Sequence, residues 1–295
     1  MAVITPERVQ RYAVVHAPRG PRLRLAVLWL VLFFVAFYVG SGGLAMFFAV
    51  NAAIAALQMC ARWNERRVPA NGVLAAAGAA AVPLAAWVNN RVAGLVILGF
   101  VALAVLFGSG FALPNPPAAS VDADDESATR RRAPRRSATT PPDETSPGIT
   151  PFSPGLGTAW VTLAAGFIPG LAAAAVVQSH RIGAMALAFL ASAVCTYDAG
   201  DYLCSAGYAS RRVGPLSGMF GVLVVTMSMS FVSPAPLVGW AVWLTGLVLA
   251  VLCPLGQWLG SWMLPASSSS APGIRRLDAW FLAAPVFWLI LVLSG

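Results

Sequence analysis

Two aspartates three residues apart, Asp198 and Asp201, stand in CTYDAGDYLCSAGYASRRVGPLSGMFG, residues 195 to 221, a stretch otherwise rich in apolar residues and glycines with one arginine pair. On a helix that spacing puts both carboxylates on one face. Like charges so close repel, and a cation between them relieves the repulsion. A divalent metal is the natural counter-ion, and Mg²⁺ suits oxygen ligands completed by substrate phosphates. The plainer alternative is a pair of interfacial acids matched by Arg211 and Arg212. Of the 11 acidic residues in the chain, only Asp198, Asp201 and Asp278 fall outside the N-terminal tail, Glu65 and one polar linker. An acid in a membrane span costs about 2.5–3.5 kcal/mol at mid-bilayer and less toward the interface, so it usually persists for a functional reason. Those three carboxylates are the candidate chemical centre, although Asp278 also reads as a cap and dipole partner of the last helix.

The elements that must position them are membrane helices. With 295 residues, 58% hydrophobic and 10% charged, the chain holds more apolar surface than one soluble core could bury. Continuous apolar runs, close to the ~20 residues needed to cross the hydrocarbon layer, recur at about 25–40, 42–60, 72–89, 92–113, 156–178, 181–197, 214–233, 235–255 and 279–294. They are Ala, Leu and Val rich and do not alternate, which argues for helices over strands. The expected fold is an all-α integral membrane protein of about nine transmembrane helices. All 19 basic residues are arginine, and every one except Arg91 and Arg181 falls on one side if successive runs alternate in direction. That asymmetry places the N-terminus in the cytoplasm and the C-terminus outside. Orientation and attraction to anionic lipid head groups account for the +8 net charge, so no nucleic-acid partner is implied.

Four parts are expected: a cytoplasmic tail at 1–24, a four-helix part at 25–113, a disordered cytoplasmic linker at 114–155 and a five-helix part at 156–295. The linker reading rests on its Pro, Ser, Thr and charge, which leave almost nothing to bury. The arginine-bearing tail lacks a cleavage pattern, so the first span is expected to remain as an anchor. Lysine is absent, which excludes a Walker A phosphate loop. No Cys-x-x-Cys occurs and His16 and His180 fall on opposite sides, which argues against zinc. No acid or base pair lies near mid-span, where transporters place coupling sites. The Ala, Gly, Arg and Pro excess points to a bacterial plasma membrane protein.

Several segments together resemble one family. Asp198-Ala-Gly200-Asp201-Tyr202, then Gly207 and Gly214-Pro-Leu-Ser-Gly218, is similar to the Asp-x-Gly-Ala-Tyr motif and the next glycine-bearing stretch of phosphatidate cytidylyltransferases, or CDP-diacylglycerol synthases. Pro254-Leu-Gly256-Gln-Trp-Leu-Gly-Ser261 resembles that family's Gly-Asp-Leu-x-Glu-Ser segment. Arg276-Leu-Asp278-Ala-Trp-Phe-Leu-Ala-Ala-Pro-Val-Phe287 is similar to its closing Asp-Arg-x-Asp and Ala-Ala-Pro-Val-Phe helix. The likeness covers nearly the whole chain, and its specific motifs lie in the last third.

The resemblance implies transfer of CMP from CTP to phosphatidic acid, giving CDP-diacylglycerol and pyrophosphate in phospholipid biosynthesis, with Mg²⁺ holding the triphosphate. It implies catalytic roles for Asp198, Asp278 and Ser261 and metal binding by Asp198 and Asp278, to which Asp201 is added as an expected ligand from its position beside Asp198. Nucleotide or phosphate contacts are expected from Gly200 and Tyr202 by the resemblance, and from Arg211, Arg212, Arg275 and Arg276 as substitutes for the basic residues the family has. The chain departs from the family pattern at Gln257, Leu264, Pro265 and Arg275, and carries no lysine where the family has several. Asp201, in place of the family's alanine, is the expected substitute metal ligand, with the four arginines neutralising the triphosphate. The alternative is a catalytically inactive relative that binds lipid or acts as a scaffold. A homodimer is compatible with either reading.

Overall fold

The computed structural model describes residues 20–66, 68–107, 154–205, 213–265 and 271–295. Most of the expected tail and linker, and both Arg211 and Arg212, lie outside these residues. The described residues form helices and connecting turns without strands: α1 Gly20–Val39, α2 Ser41–Asn64, α3 Gly72–Val88, α4 Asn90–Phe107 and α5 Pro154–Ile182. They continue with α6 Ala184–Ser205, α7 Val213–Val232, α8 Trp240–Trp262, the single turn α9 Ile274–Leu277 and α10 Trp280–Ser294. Among the described residues, six helical segments are long and apolar enough to cross a membrane, namely α2, α4, most of α5, α7, α8 and the stretch Ile274–Ser294. The outer surface agrees, with Leu95, Leu98, Leu106 and Phe220 each 68–69% exposed. A water-soluble protein rarely shows so many large side chains to solvent, whereas acyl chains accept them. The chain is thus an all-α membrane protein.

Local chemistry fixes the helix ends. Gly40 turns the chain between α1 and α2 with φ at 98°, a region L side chains rarely adopt. Asn71 caps α3, its Oδ1 accepting from the backbone N–H of Leu74 at 3.0 Å. Asn89 accepts in the same way from the N–H of Arg91 at 2.9 Å at the start of α4.

Contacts between helix ends show that the long helices run up and down. At one end, Trp63 Nε1 donates to the Met263 carbonyl at 2.8 Å and Gly273 N–H to Gln58 Oε1 at 2.7 Å. The N–H of Asn71 donates to Thr162 Oγ1 at 2.9 Å, near the start of α5. At the opposite end, the His180 ring meets Phe37 edge-on with centroids 5.5 Å apart. Glu65, Arg62, Asp198, Asp201, Arg275, Arg276 and Asp278 therefore gather at the first end, and Arg91 and Arg181 at the second.

Helix α5 is the axis of the bundle: 67% of its most apolar window is buried, against 11% for α4 and 17% for α7. It packs against α2, α3, α4, α6 and α10. Between lipid-facing helices there is little hydrophobic gain, so fit decides, and small residues let backbones approach. Phe100 of α4 fills the space that Gly78 of α3 and Gly166 of α5 leave open, and a Cβ at either glycine would collide with its ring. Across the bundle, Trp280 at the start of α10 is 1% exposed and meets Phe48 and Phe33 with centroids at 5.5 and 6.2 Å. That cluster ties α10 to α1 and α2.

Two helix boundaries differ from the apolar runs in the sequence, and both matter to the site. The run at 235–255 becomes a helix only from Trp240, because Pro234, Pro236 and Gly239 hold the preceding turn, and it continues to Trp262. The run at 181–197 becomes α6, which extends to Ser205. Gln257, Ser261, Asp198 and Asp201 consequently all stand on helical backbone, within the last two turns or so of α6 and α8.

Candidate functional site

Three elements meet at this end. Helix α6 supplies Tyr197, Asp198 and Asp201; α8 supplies Gln257 and Ser261; the α9 turn and the residues before α10 supply Arg275, Arg276 and Asp278. Glycines set the distances between them. A side chain at Gly256 would collide with the Asp278 carbonyl oxygen, and one at Gly260 would put a Cβ 2.7 Å from the Asp278 Cβ. These two glycines, four apart on one face of α8, form the seat on which the start of α10 rests. On the far side, a Cβ at Gly200 would lie 3.0 Å from the Cα of Gly218, and one at Gly218 would lie 2.7 Å from the Tyr197 ring. Ser217 Oγ, on α7, lies 2.7 Å from the Gly200 carbonyl and can donate to it across the same contact. Helix α6 is thereby fixed in depth and rotation against α7.

The polar groups form one continuous network. Tyr197 is fully buried, and its hydroxyl donates to Gln257 Oε1 at 3.0 Å. Gln257 Nε2 then points at Asp201 Oδ2, 3.5 Å away. One turn further along the same face of α8, Ser261 Oγ donates to the Gln257 carbonyl at 2.9 Å and accepts from Arg275 Nη1 at 2.8 Å. The same Nη1 lies 3.6 Å from Asp278 Oδ2, and the Ala279 N–H donates to Asp278 Oδ1 at 2.8 Å. Asp278 is only 2% exposed, whereas Arg275 remains reachable from outside. Asp198 lies within the field of Asp278, Asp201 and Arg276. The structure thus places Asp198, Asp201, Ser261, Arg275, Arg276 and Asp278 at one end of the bundle.

Other expected members are placed differently. Tyr202 is 44% exposed, and among the described residues no hydrogen bond ties it to the network. Gly200 is in close contact with Gly218. Arg211 and Arg212 lie outside the described residues. Two members were not picked out from the sequence as parts of a site. Tyr197 looked like one more aromatic in an apolar run, and Gln257 stood out only as a departure from a family pattern. The signal available was their spacing: Tyr197 and Asp201 are four apart, as are Gln257 and Ser261, so each pair shares a helix face.

Three carboxylates and two guanidinium groups leave the described site with an excess of one negative charge when all are ionised. Burial makes an uncompensated charge expensive, so such a site favours a cation, a proton or a cationic group. Among the described residues no three His, Cys, Asp or Glu side chains stand where they could hold a metal ion between them. Mg²⁺ commonly takes only one or two carboxylates and completes its shell with water and substrate phosphate. Asp198 and Asp201, three apart on α6, are the carboxylates of that kind here, whereas Asp278 already has Arg275 3.6 Å from one oxygen and the Ala279 N–H on the other. Comparisons with protein-family models, with curated proteins and with solved structures found no match.

Proposed function

We propose that the chain is a divergent, membrane-embedded nucleotidyltransferase that moves CMP from CTP to phosphatidic acid or a related lipid phosphate. The observation that carries this reading is the convergence of Asp198, Asp201, Asp278, Ser261, Arg275 and Arg276 from three separate elements at one end of an apolar bundle. A lipid substrate can reach such a place from the bilayer and a nucleotide from water. In the reaction a lipid phosphate oxygen forms a bond to the α-phosphorus of CTP. The bond from that phosphorus to the bridging oxygen of the β-phosphate breaks, and pyrophosphate leaves with the electron pair.

Chemistry of this kind asks the protein for position and charge neutralisation more than for covalent help. Arg275, held by Ser261 and Asp278 yet reachable from outside, offers its guanidinium to phosphate oxygens, with Arg276 beside it. Asp198 and Asp201 would hold Mg²⁺, which when bound offsets the charge on the transferring group. Tyr197 and Gln257 keep Asp201 in register. The reading carries with it nine spans, a cytoplasmic N-terminus and a site facing the cytoplasm, supported by the arginines and acids gathered at the site's end. It also places the protein in a bacterial plasma membrane.

The decisive experiment incubates purified protein in mixed micelles with phosphatidic acid, Mg²⁺ and CTP labelled at the α-phosphate. Labelled CDP-diacylglycerol should form, and Asp198→Asn should lower its rate by about 10²–10³, the usual cost of one preorganised electrostatic contact. A folded wild-type protein that transfers no label would refute the reading. Two observations favour a second reading, that of an inactive relative which binds anionic lipid: Asp278 is already matched by Arg275, and Gln257 puts an amide where a carboxylate would strengthen a metal site. Under that reading the protein retains phosphatidic acid and turns over nothing.

A further inference from the structure

The end of the bundle opposite the acids carries a second polar site. A cavity of about 370 Å³ opens there between the end of α3, the start of α4 and the end of α5, lined by Val88, Asn89, Asn90, Gln178, Arg181 and Ile182. Its base is a buried glutamine, and its wall an exposed arginine anchored beside it. Gln178 is 9% exposed, and its Nε2 donates to the Ala86 carbonyl at 2.7 Å. Arg181 Nη1 donates to the same carbonyl at 3.1 Å. That carbonyl belongs to the last turn of α3, where acceptors have no partner within the helix and a cation is favoured. Arg181 is therefore held at the cavity wall by one of its five N–H donors, and the others stay available to a ligand.

Charge gives the sign of that ligand. The four acids among the described residues, Glu65, Asp198, Asp201 and Asp278, all lie at the far end. Asp198 stands 14 residues into α6, which begins beside this cavity, so it is about 20 Å away along the helix axis. No described acidic residue lines the cavity, while a fixed guanidinium, two asparagine side chains and the N-terminal end of α4 all do. Its rim is apolar: Val88 is 63% exposed and Ile182 40%, and both sit at the ends of membrane-type helices. A guanidinium and amides beside lipid-facing aliphatic side chains match a phosphate that carries acyl chains.

We propose that this cavity binds the head group of an anionic phospholipid from the leaflet opposite the acidic site, with Arg181 on the phosphate and Asn89 and Asn90 beside it. This site is independent of the transfer reaction proposed above.

The test uses the full chain in nanodiscs of phosphatidylcholine doped with phosphatidylglycerol, followed by native mass spectrometry of the lipids retained on release. Wild type should keep phosphatidylglycerol in preference to phosphatidylcholine. Arg181→Gln should lower that retention at least about tenfold, as expected when a charge-assisted contact is lost. Asn90→Leu, which leaves the Ala86 contacts intact, should lower it as well and keeps the test valid if Arg181→Gln fails to fold. Arg91→Gln, outside the cavity, should change nothing. Millimolar inorganic phosphate should not displace the lipid, and if it does, the site recognises free phosphate and the lipid assignment falls. Equal retention of the two lipids, or retention unchanged in both Arg181→Gln and Asn90→Leu, would overturn the proposal.

Discussion

Gly260→Ala is a one-carbon change that should disturb the site without touching any of its polar groups. The added Cβ would stand 2.7 Å from the Cβ of Asp278, and carbons in good contact sit about 3.5–4.0 Å apart. Relief therefore needs about 1 Å of separation between α8 and the start of α10. Neither side yields easily, because Asp278 is 2% exposed, and Trp280 and Phe281, just after it, are 1% and 2% exposed. A shift of that size stretches the bond from Arg275 to Ser261 from 2.8 Å beyond hydrogen-bonding range. Overpacking costs about 1–3 kcal/mol, and the lost contact, partly exposed, adds about 0.5–1.5 kcal/mol. For a domain of this size the melting temperature should fall by roughly 5–10 °C. Thermal unfolding in detergent can be followed with a thiol-reactive dye, since Cys60 and Cys253 are both buried and become reactive when the bundle opens. Gly94→Ala and Gly99→Ala are the controls, because a Cβ at either position meets nothing within 4 Å. A Gly260→Ala protein that melts within about 1 °C of these controls would refute the idea that Gly256 and Gly260 seat the last helix.

Tyr197→Phe removes one hydroxyl and leaves Gln257 Oε1 without its 3.0 Å donor. A stability loss of about 1–3 kcal/mol is expected in the same unfolding assay, with label transfer reduced because Asp201 loses its register. Phe100→Ala empties the space bounded by Gly78 and Gly166 at a residue only 4% exposed, so about 3–5 kcal/mol should be lost in thermal unfolding. Adding back bulk with Phe100→Leu should recover part of that loss.

Membrane character and helicity are legible from the continuous apolar runs, and the scarcity of acids outside the tail, Glu65 and the linker singles out Asp198, Asp201 and Asp278. The limits of the helices were not legible. Pro254 falls where the run at 235–255 ends, yet α8 passes through it, since a bundle can tolerate the missing N–H where neighbours supply other contacts. That shift of about two turns puts Gln257 and Ser261 on the helix that faces Asp201 and Arg275. Residue types could not show the pairing of Gly256 and Gly260 with Asp278, because a glycine at four-residue spacing looks the same whether a helix or a lipid lies against it. The central position of α5 was equally hidden: its sequence is no more apolar than that of α4, and only packing tells them apart.

The cluster of Phe33, Phe48 and Trp280 has a bearing on how the molecule is made. A ribosome delivers α1 and α2 long before α10, so the rings of Trp29, Phe33, Phe47 and Phe48 can pack on one another early, and the notch beside Phe33 and Phe48 is filled only when Trp280 emerges. Until then the acidic site also lacks Arg275, Arg276 and Asp278. Docking of the last helix and completion of the polar network are therefore the same late event, and a nascent chain stalled before residue 275 would be an open intermediate exposed to membrane quality-control proteases.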